Sequence, residues 1–447
     1  MATTTPTLWA DLGTVNTTTA GEEEDAHILG LPNGNVVVTW EVIDGANHSL
    51  LGQIFDPLGN PVGGELLLRE GSGNDGDIYS DAVLAVREGS DSNFLVAYAT
   101  HRASGDIVSV RQFDSTGGQV LLSDGVDHTI VDLTIVNTIN LHAGEPSIAS
   151  FADGSFVVAY TTNLTAAPGD TDTAFKIVSA NNIVGTEQPL LADVGGTDDN
   201  AHNPQVAVLS NGDFVAVWDD EYNADPADSD VFFQIFNASG GTATASGTSV
   251  SGAFNLAQET HPDVAALSGG GFVVVWTDST GDGPGDEGIR ATIYSNTGVI
   301  VAADIQINTT TTGNQSEASV TALADGGFLV AWEDDQQSQV LAQRFDATGI
   351  QVGTEFVLAS TIGGGDGGPD LTTLIDGRIG FAVNPLTGNI ATSIWDPRTS
   401  PIAATEGNDV YTGRADGGTV FGLGGADTLF GGAGKDTLVG GTGADTM

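Results

Sequence analysis

The sequence contains no cysteine, which excludes disulfides, thiolate metal sites and thiol catalysis together. Only two lysines occur, Lys176 and Lys435, and 11 basic residues face 59 acidic ones, a formal net charge of −48. Such a balance repels phosphate backbones and anionic bilayers, so nucleic acid is not expected as a partner, whereas multivalent cations or a calcium-rich medium suit it. No run of 18 apolar residues exists, so no membrane-spanning helix is expected. The opening stretch MATTTPTLWADLGTVNTTTAGEEEDA lacks the basic head and apolar run of a secretory signal peptide. G-x-S-x-G, H-E-x-x-H and a phosphate loop between strand and helix are absent as well; GGAGKDT has the wrong glycine spacing and no helix after it.

What the chain has in abundance is repetition. Aromatic-led apolar runs recur as NVVVTW, FLVAY, FVVAY, FVAVW, FVVVW, FLVAW and a degraded IGFAV. Their first apolar residues are Val36, Phe94, Phe156, Phe214, Phe272, Phe328 and Ile379, giving steps of 58, 62, 58, 58, 56 and 51. Seven units of nearly constant length follow. Within the fifth, turn residues separate four β runs, predicted at Val264–Leu267, Phe272–Trp276, Ile289–Tyr294 and Asp304–Ile307. The second run is apolar on both faces, as a strand covered on both sides must be, and no helical period competes.

Seven four-stranded antiparallel units predict an all-β fold: a seven-bladed β-propeller, in which stacking sheets around an axis buries both faces. The start, LWADLGTVNTTTAG (8–21), resembles IVAADIQINTTTTG (300–313), the outermost strand region of the fifth unit, while the seventh unit ends at SIWDPRTSP without one. The N-terminus is therefore expected to complete the last blade. After the linker DPRTSPIAATEG the pattern changes, so the propeller is assigned to residues 1–400 and a second domain to 401–447.

That second domain follows the template G-G-x-G-x-D-x-U-x, with U a large apolar residue. Residues 422–430 match it with Leu423 in place of the second glycine, 431–439 match fully, and 440–447 stop one residue short. Six residues form a turn whose carbonyls point inward, and three form a short strand whose apolar residue (Leu429, Leu438, Met447) is expected to fill a narrow core. Carbonyl and carboxylate oxygens at flexible spacing suit calcium better than zinc or copper.

This segment resembles the RTX, or hemolysin-type calcium-binding, repeats of Gram-negative proteins exported through type I channels. The resemblance implies a short parallel β-roll holding Ca2+ between turns 18 residues apart, with Asp409, Asp427 and Asp445 on one edge and the carbonyl-bearing turns of Gly422, Gly424, Gly431 and Gly440 completing the cages. On the other edge Asp436 pairs with Gly418, so few well-formed sites are expected there. The resemblance also implies an extracellular location, type I export machinery as a partner and an uncleaved C-terminal export signal. Because the chain ends inside a repeat, it is expected to be a fragment of a longer protein.

The propeller units resemble repeats of large secreted bacterial proteins that carry no assigned activity, as in DGGFLVAWEDDQQSQVLAQRFDATGIQVGTEF (325–356). Aligned on their aromatic-led strands, the units place Asp25, Ser80, Glu145, Asn203, His261, Glu317 and Gly368 around the mouth of the axial channel. The loops EDD (333–335), DDEYNADPADSD (219–230) and TDSTGDGPGDEG (277–288) are expected to open on the same, intensely acidic face, a candidate surface for a cation or a cation-bridged polysaccharide. His202 and His261 stand beside carboxylates and are read as polar mouth residues rather than general bases. TDSTGDGPGDEG also imitates a calcium loop but lacks the flanking helices and terminal Glu. The favoured function is a secreted, calcium-stabilised binding or adhesion module with an extracellular polysaccharide or cell-surface ligand; the alternative is a hydrolase or lyase working at the acidic mouth.

Overall fold

The second strand of every repeat is covered on both faces, and the rest of the fold follows from that burial. The computed structural model describes residues 5–447 apart from 18–20, 46, 71–77, 91, 103–104, 124–128, 131–132, 138–142, 164–170, 191–199, 223–224, 245–246, 251–257, 284–285, 361–367, 385–388, 399–400 and 406. Among these residues there is no helix. Seven four-stranded antiparallel blades form a ring, as the repeat predicts. The first pairs Glu22–Gly30, Val36–Asp44, Asn47–Phe55 and Pro61–Arg69 in chain order. The fifth uses Glu259–Ala266, Phe272–Gly283, Asp286–Tyr294 and Ile300–Gln306, so its second and third strands run on past the expected ends into a long hairpin. In blade 2 the outer position on Ile107–Phe113 is shared between Leu133–Asn137 and the short Gln119–Val120. The first strands of the blades touch in succession around the axis, and Asp370–Thr373 of blade 7 returns to Glu22–Gly30 of blade 1.

Packing between blades is built from one device used repeatedly. The aromatic residue that opens the second strand lies directly across from an aromatic that ends the third, as in Phe94–Phe113, Phe214–Phe236, Phe272–Tyr294 and Phe328–Phe345. Their ring centroids are 5.1–5.4 Å apart and their planes within 20° of parallel. Such cross-strand aromatic pairs contribute about 0.5–1.5 kcal/mol each beyond the area they bury. At the other end of the second strand, Trp40, Trp218, Trp276 and Trp332 are fully buried.

Ring closure occurs as expected. Thr7–Thr14 pairs antiparallel with Ala391–Asp396 as the fourth strand of blade 7. The likeness of the N-terminal segment to residues 300–313 has an atomic basis. Asn16 donates its side-chain amide to Glu23, and Asn308 donates likewise to Gln315, 3.0 and 2.9 Å respectively. The Thr17 backbone N–H donates to Glu65, and that of Thr309 to Glu355. The shared Asn-Thr is thus a contact motif by which an outer strand is fastened to the next blade.

Beyond the last blade strand the pairing turns parallel. Val410–Thr412 lies beside Thr428–Phe430, and Thr428 bridges to Thr446; Ile402–Ala403, Gly418–Phe421 and Asp436–Val439 form the facing sheet. Every pair is 18 residues apart, the spacing of a two-sheeted β-roll. Ile402, Val420 and Leu429 form its core, with Tyr411 and Leu438 packed against it. Met447 differs from expectation: its side chain is 68% exposed, because no strand of the chain stacks upon it.

Candidate functional site

In the roll, the aspartate before each strand on one edge reaches back to the turn of its neighbour. Asp427 Oδ1 accepts the backbone N–H of Asp409 at 3.0 Å, and Asp445 Oδ1 accepts that of Asp427 at 3.2 Å. Asp409, Asp427 and Asp445 therefore share one edge. Asp409 itself is engaged by the backbone N–H and hydroxyl of Thr405, 2.9 and 2.8 Å away. Asp427 is 1% exposed and its second oxygen, Oδ2, has no hydrogen-bond partner. A Cβ built on Gly422 would lie 2.3 Å from that oxygen and 2.4 Å from the carbonyl oxygen of Gly440, so only glycine fits between them. A buried carboxylate oxygen facing a carbonyl oxygen, with no donor between, is costly by itself and suited to a hard cation. The facing edge has one carboxylate where this edge has three. There Asp436 is paired in register with Gly418; its Oδ1 is also without a partner and sits against Gly413. Among the described residues no three His, Asp or Glu side chains gather as a metal cluster, so calcium in the roll would be held by single carboxylates joined to main-chain carbonyls.

The second site is the mouth of the propeller axis. Asp25, Asp81, Glu145, Asn203, His261 and Glu317 adopt left-handed φ between +46° and +53°, each within a bulge of its blade's first strand. With Gly368 they line a cavity of about 430 Å³. Non-glycine residues rarely occupy this region, and here the cost recurs in six blades because it serves the same end. The bulge turns the ring residue toward the axis and buries the Ala or Pro that follows it. It also frees a backbone N–H, which the preceding blade satisfies in two cases: Glu145 N–H donates to Asp81 at 3.3 Å and Asn203 N–H donates to Glu145 at 2.9 Å. Ring carboxylates are thus also joints between blades.

The ring residue of blade 2 is Asp81, where the sequence reading placed Ser80. The other ring residues lie 11 residues before the first apolar residue of the second strand; the turn Arg87–Asn93, two residues longer than Leu31–Asn35, moves Asp81 to 13 before Phe94, and Ser80, at 14, overshoots it by one. A signal for the correct residue was present: each ring residue is followed by Ala or Pro, as in Asp81–Ala82, Glu145–Pro146 and His261–Pro262. Ser80 instead bridges Asp81 and His101, 2.9 and 3.0 Å away.

Two residues deeper along the same strands stand His27, Asp263 and Asp370. Half-buried Asp263 accepts the N–H groups of Val264 and Val320, yet desolvation prevails and pushes its carboxyl up to about 7. Burial works against charge on His27, but Asp25 and Asp370, each 3.4 Å away, raise its pKa well above the usual value. Further out, all five histidines among the described residues lie against a carboxylate: His27 with Asp25 and Asp370, His48 with Glu41, His101 with Asp106, His202 with Glu145, and His261 with Glu317. They differ in kind. The Glu145 carboxylate, 3.8 Å away, raises the His202 pKa, favouring an ion pair. Burial raises Glu41 to about 8 and lowers His48, so burial works against charge on both partners of that contact. Burial, with Glu317 and Asp335 nearby, also pushes Glu333 up to about 8. Residues 223–224 and 284–285, within two of the acidic loops, lie outside the described residues.

These elements define a closed seven-bladed propeller carrying a parallel roll. Residues 412–447 match the RTX calcium-binding nonapeptide repeat, in 4 copies. The C-terminal segment is therefore an array of RTX calcium-binding repeats. No curated protein matches the chain significantly. Among solved structures, a protein of unknown function from Dyadobacter fermentans DSM 18053 is 14% identical with a TM-score of 0.51, covering 88% of this chain and 99% of that one. The polysaccharide lyase Uly1 is 10% identical with a TM-score of 0.53, covering 83% and 90%. At such identities the likeness is one of fold.

Proposed function

We propose that this is a secreted, extracellular protein of a Gram-negative bacterium, exported by a type I system, whose RTX roll folds around Ca2+ while its propeller presents a binding or adhesion surface. The observation that carries the reading is the buried, unpartnered Oδ2 of Asp427 facing the Gly440 carbonyl oxygen. In this reading Asp427 and Asp445, with the turns of Gly422, Gly424 and Gly440, hold calcium on one edge. Asp436 and the turn of Gly431 form a weaker site on the other. Residues 1–400 and 401–447 are the two folding units. Calcium supplies the charge that lets facing oxygens approach, so metal binding and folding of the roll are one event. Calorimetric titration of the chain with calcium is expected to register binding that Asp427→Asn weakens; absence of heat in the unaltered chain contradicts the proposal.

A second reading rests on the mouth, where Glu145, Glu317, His261 and the high-pKa carboxyls of Asp263, Glu41 and Glu333 stand together. It is an extracellular hydrolase or lyase acting on a polysaccharide or ester, and the fold shared with a polysaccharide lyase accords with it. Turnover across a glycan and ester panel, abolished by substitution of Glu145, His261 or Glu317, supports this reading; no turnover on any member favours the binding module.

A further inference from the structure

The seventh blade carries a feature that the other six lack. At the turn between first and second strands, six blades have Asn35, Asn93, Ser155, Asp213, Gly271 and Gly327, whereas blade 7 has Arg378. This guanidinium is 1% exposed in a chain with only nine arginines (11 basic residues less two lysines). Its Nε donates to Asp376 at 2.8 Å, and Nη2 donates to the Pro57 carbonyl of blade 1 at 2.8 Å and to Thr412 Oγ1 of the roll at 3.2 Å. It lies 4.1 Å from the ring centroid of Trp9, on the strand that closes the propeller. Trp9 in turn donates its indole N–H to the Gly413 carbonyl at 2.8 Å. Asp376 accepts the Thr412 backbone N–H at 3.1 Å, and Arg398 donates to the Thr412 carbonyl at 2.8 Å. Arg414 donates to the Arg398 carbonyl. Every polar group of Thr412 is thus held by the propeller.

Thr412 and Gly413 also touch the strands and turns that carry Asp427 and Asp436. The strand Val410–Thr412 pairs with Thr428–Phe430, which leaves Asp427 directly, and Gly413 N–H donates to the Phe430 carbonyl at 2.8 Å. Gly413 packs on Asp436, whose Oδ1 would be 3.0 Å from a Cβ there. We propose that calcium loading of the roll and closure of the propeller ring are one linked equilibrium, transmitted through Trp9, Arg378, Asp376 and Thr412; this rests on the calcium reading above. Linkage is reciprocal: whatever calcium adds to closure, closure adds to calcium affinity.

All six tryptophans, from Trp9 to Trp395, lie in the propeller, and although Trp9 also touches the roll through Gly413, the main tryptophan-fluorescence transition of the full chain reports propeller unfolding. The expected result is a propeller melting temperature that rises with calcium over a chelator control, and rises less in Asp427→Asn at the same calcium concentration. Trp9→Phe keeps the ring and loses the indole donor, and Thr412→Val loses the hydroxyl. Each is expected to weaken calcium binding about 2- to 10-fold, the worth of one hydrogen bond, and to shrink the calcium-dependent rise. These mild variants stand in for Arg378→Met, which strands buried Asp376 and is expected to compromise folding. A propeller transition indifferent to calcium, while calorimetry registers binding, overturns the coupling and leaves the calcium reading intact. A rise undiminished in Asp427→Asn at the same calcium concentration, or unchanged affinity in both mild variants, also overturns it. Absence of binding heat removes the calcium reading itself.

Discussion

At Asp427 one oxygen is committed to the backbone of Asp409 and the other faces only oxygen. Asp409, on the same edge, is already engaged by Thr405. Asp427→Asn is therefore expected to weaken calcium binding by about tenfold or more, since a full charge near a divalent ion is worth several kcal/mol even at an effective dielectric of about 20. Asp409→Asn is expected to weaken it less while loosening the Thr405 turn; a calcium titration of the two variants compares them directly. The buried indoles make a different case. Trp40, Trp218, Trp276 and Trp332 have no acceptor for Nε1, and blades 2 and 3 have Tyr98 and Tyr160 at the same place. Trp218→Phe is thus expected to cost volume but no hydrogen bond, well below the ~3–5 kcal/mol of truncation to alanine, in denaturant unfolding. Sequence pattern identified these aromatics as core; that their N–H groups go unanswered depends on which blade lies opposite.

At the scale of strands, the mouth concentrates carboxyls that prefer to be neutral. Glu41 and Glu333, raised by burial from 4.5 to about 8, bind more protons folded than unfolded between those values. The stability they lend is complete below about pH 4.5 and is lost as pH rises through about 8. Glu333→Gln is expected to flatten that decline, raising the melting temperature at pH 9 relative to pH 6 compared with the unaltered chain, both in chelator. An unchanged pH slope in the variant refutes the assignment. Legibility was uneven at this scale. Strand order and the inner-face residues Asp25, Glu145, Asn203, His261 and Glu317 followed from a constant offset, because a bulge of fixed place sits in the first strands of these blades. The longer turn of blade 2 puts Asp81 13 rather than 11 residues before Phe94, so the offset did not reach it and Ser80, one residue too far, was taken instead; a bulge is a property of pairing rather than of composition.

For the whole molecule, the decisive structural economy is closure. A chain lacking residues 1–21 leaves blade 7 without the strand Thr7–Thr14 and exposes the edge of Ala391–Asp396. It is expected to melt ~10 °C or more below the full chain and to aggregate on heating, read by calorimetry and light scattering. The roll joins at Leu374–Arg378, the opposite end of the blade strands from Gly368 and the mouth, so the acidic cavity stays open while the calcium repeats occupy the other face.

The sequence by itself determined the seven-fold repeat, the apolar second strands, the closing segment and the nonapeptide array, because each is a periodic pattern whose burial needs are local. Only the tertiary structure decided that His27 lies between Asp25 and Asp370, and that Arg378 joins Trp9 to Thr412. Those contacts unite residues from opposite ends of the chain, and their distances are set by ring geometry that no spacing along the chain records.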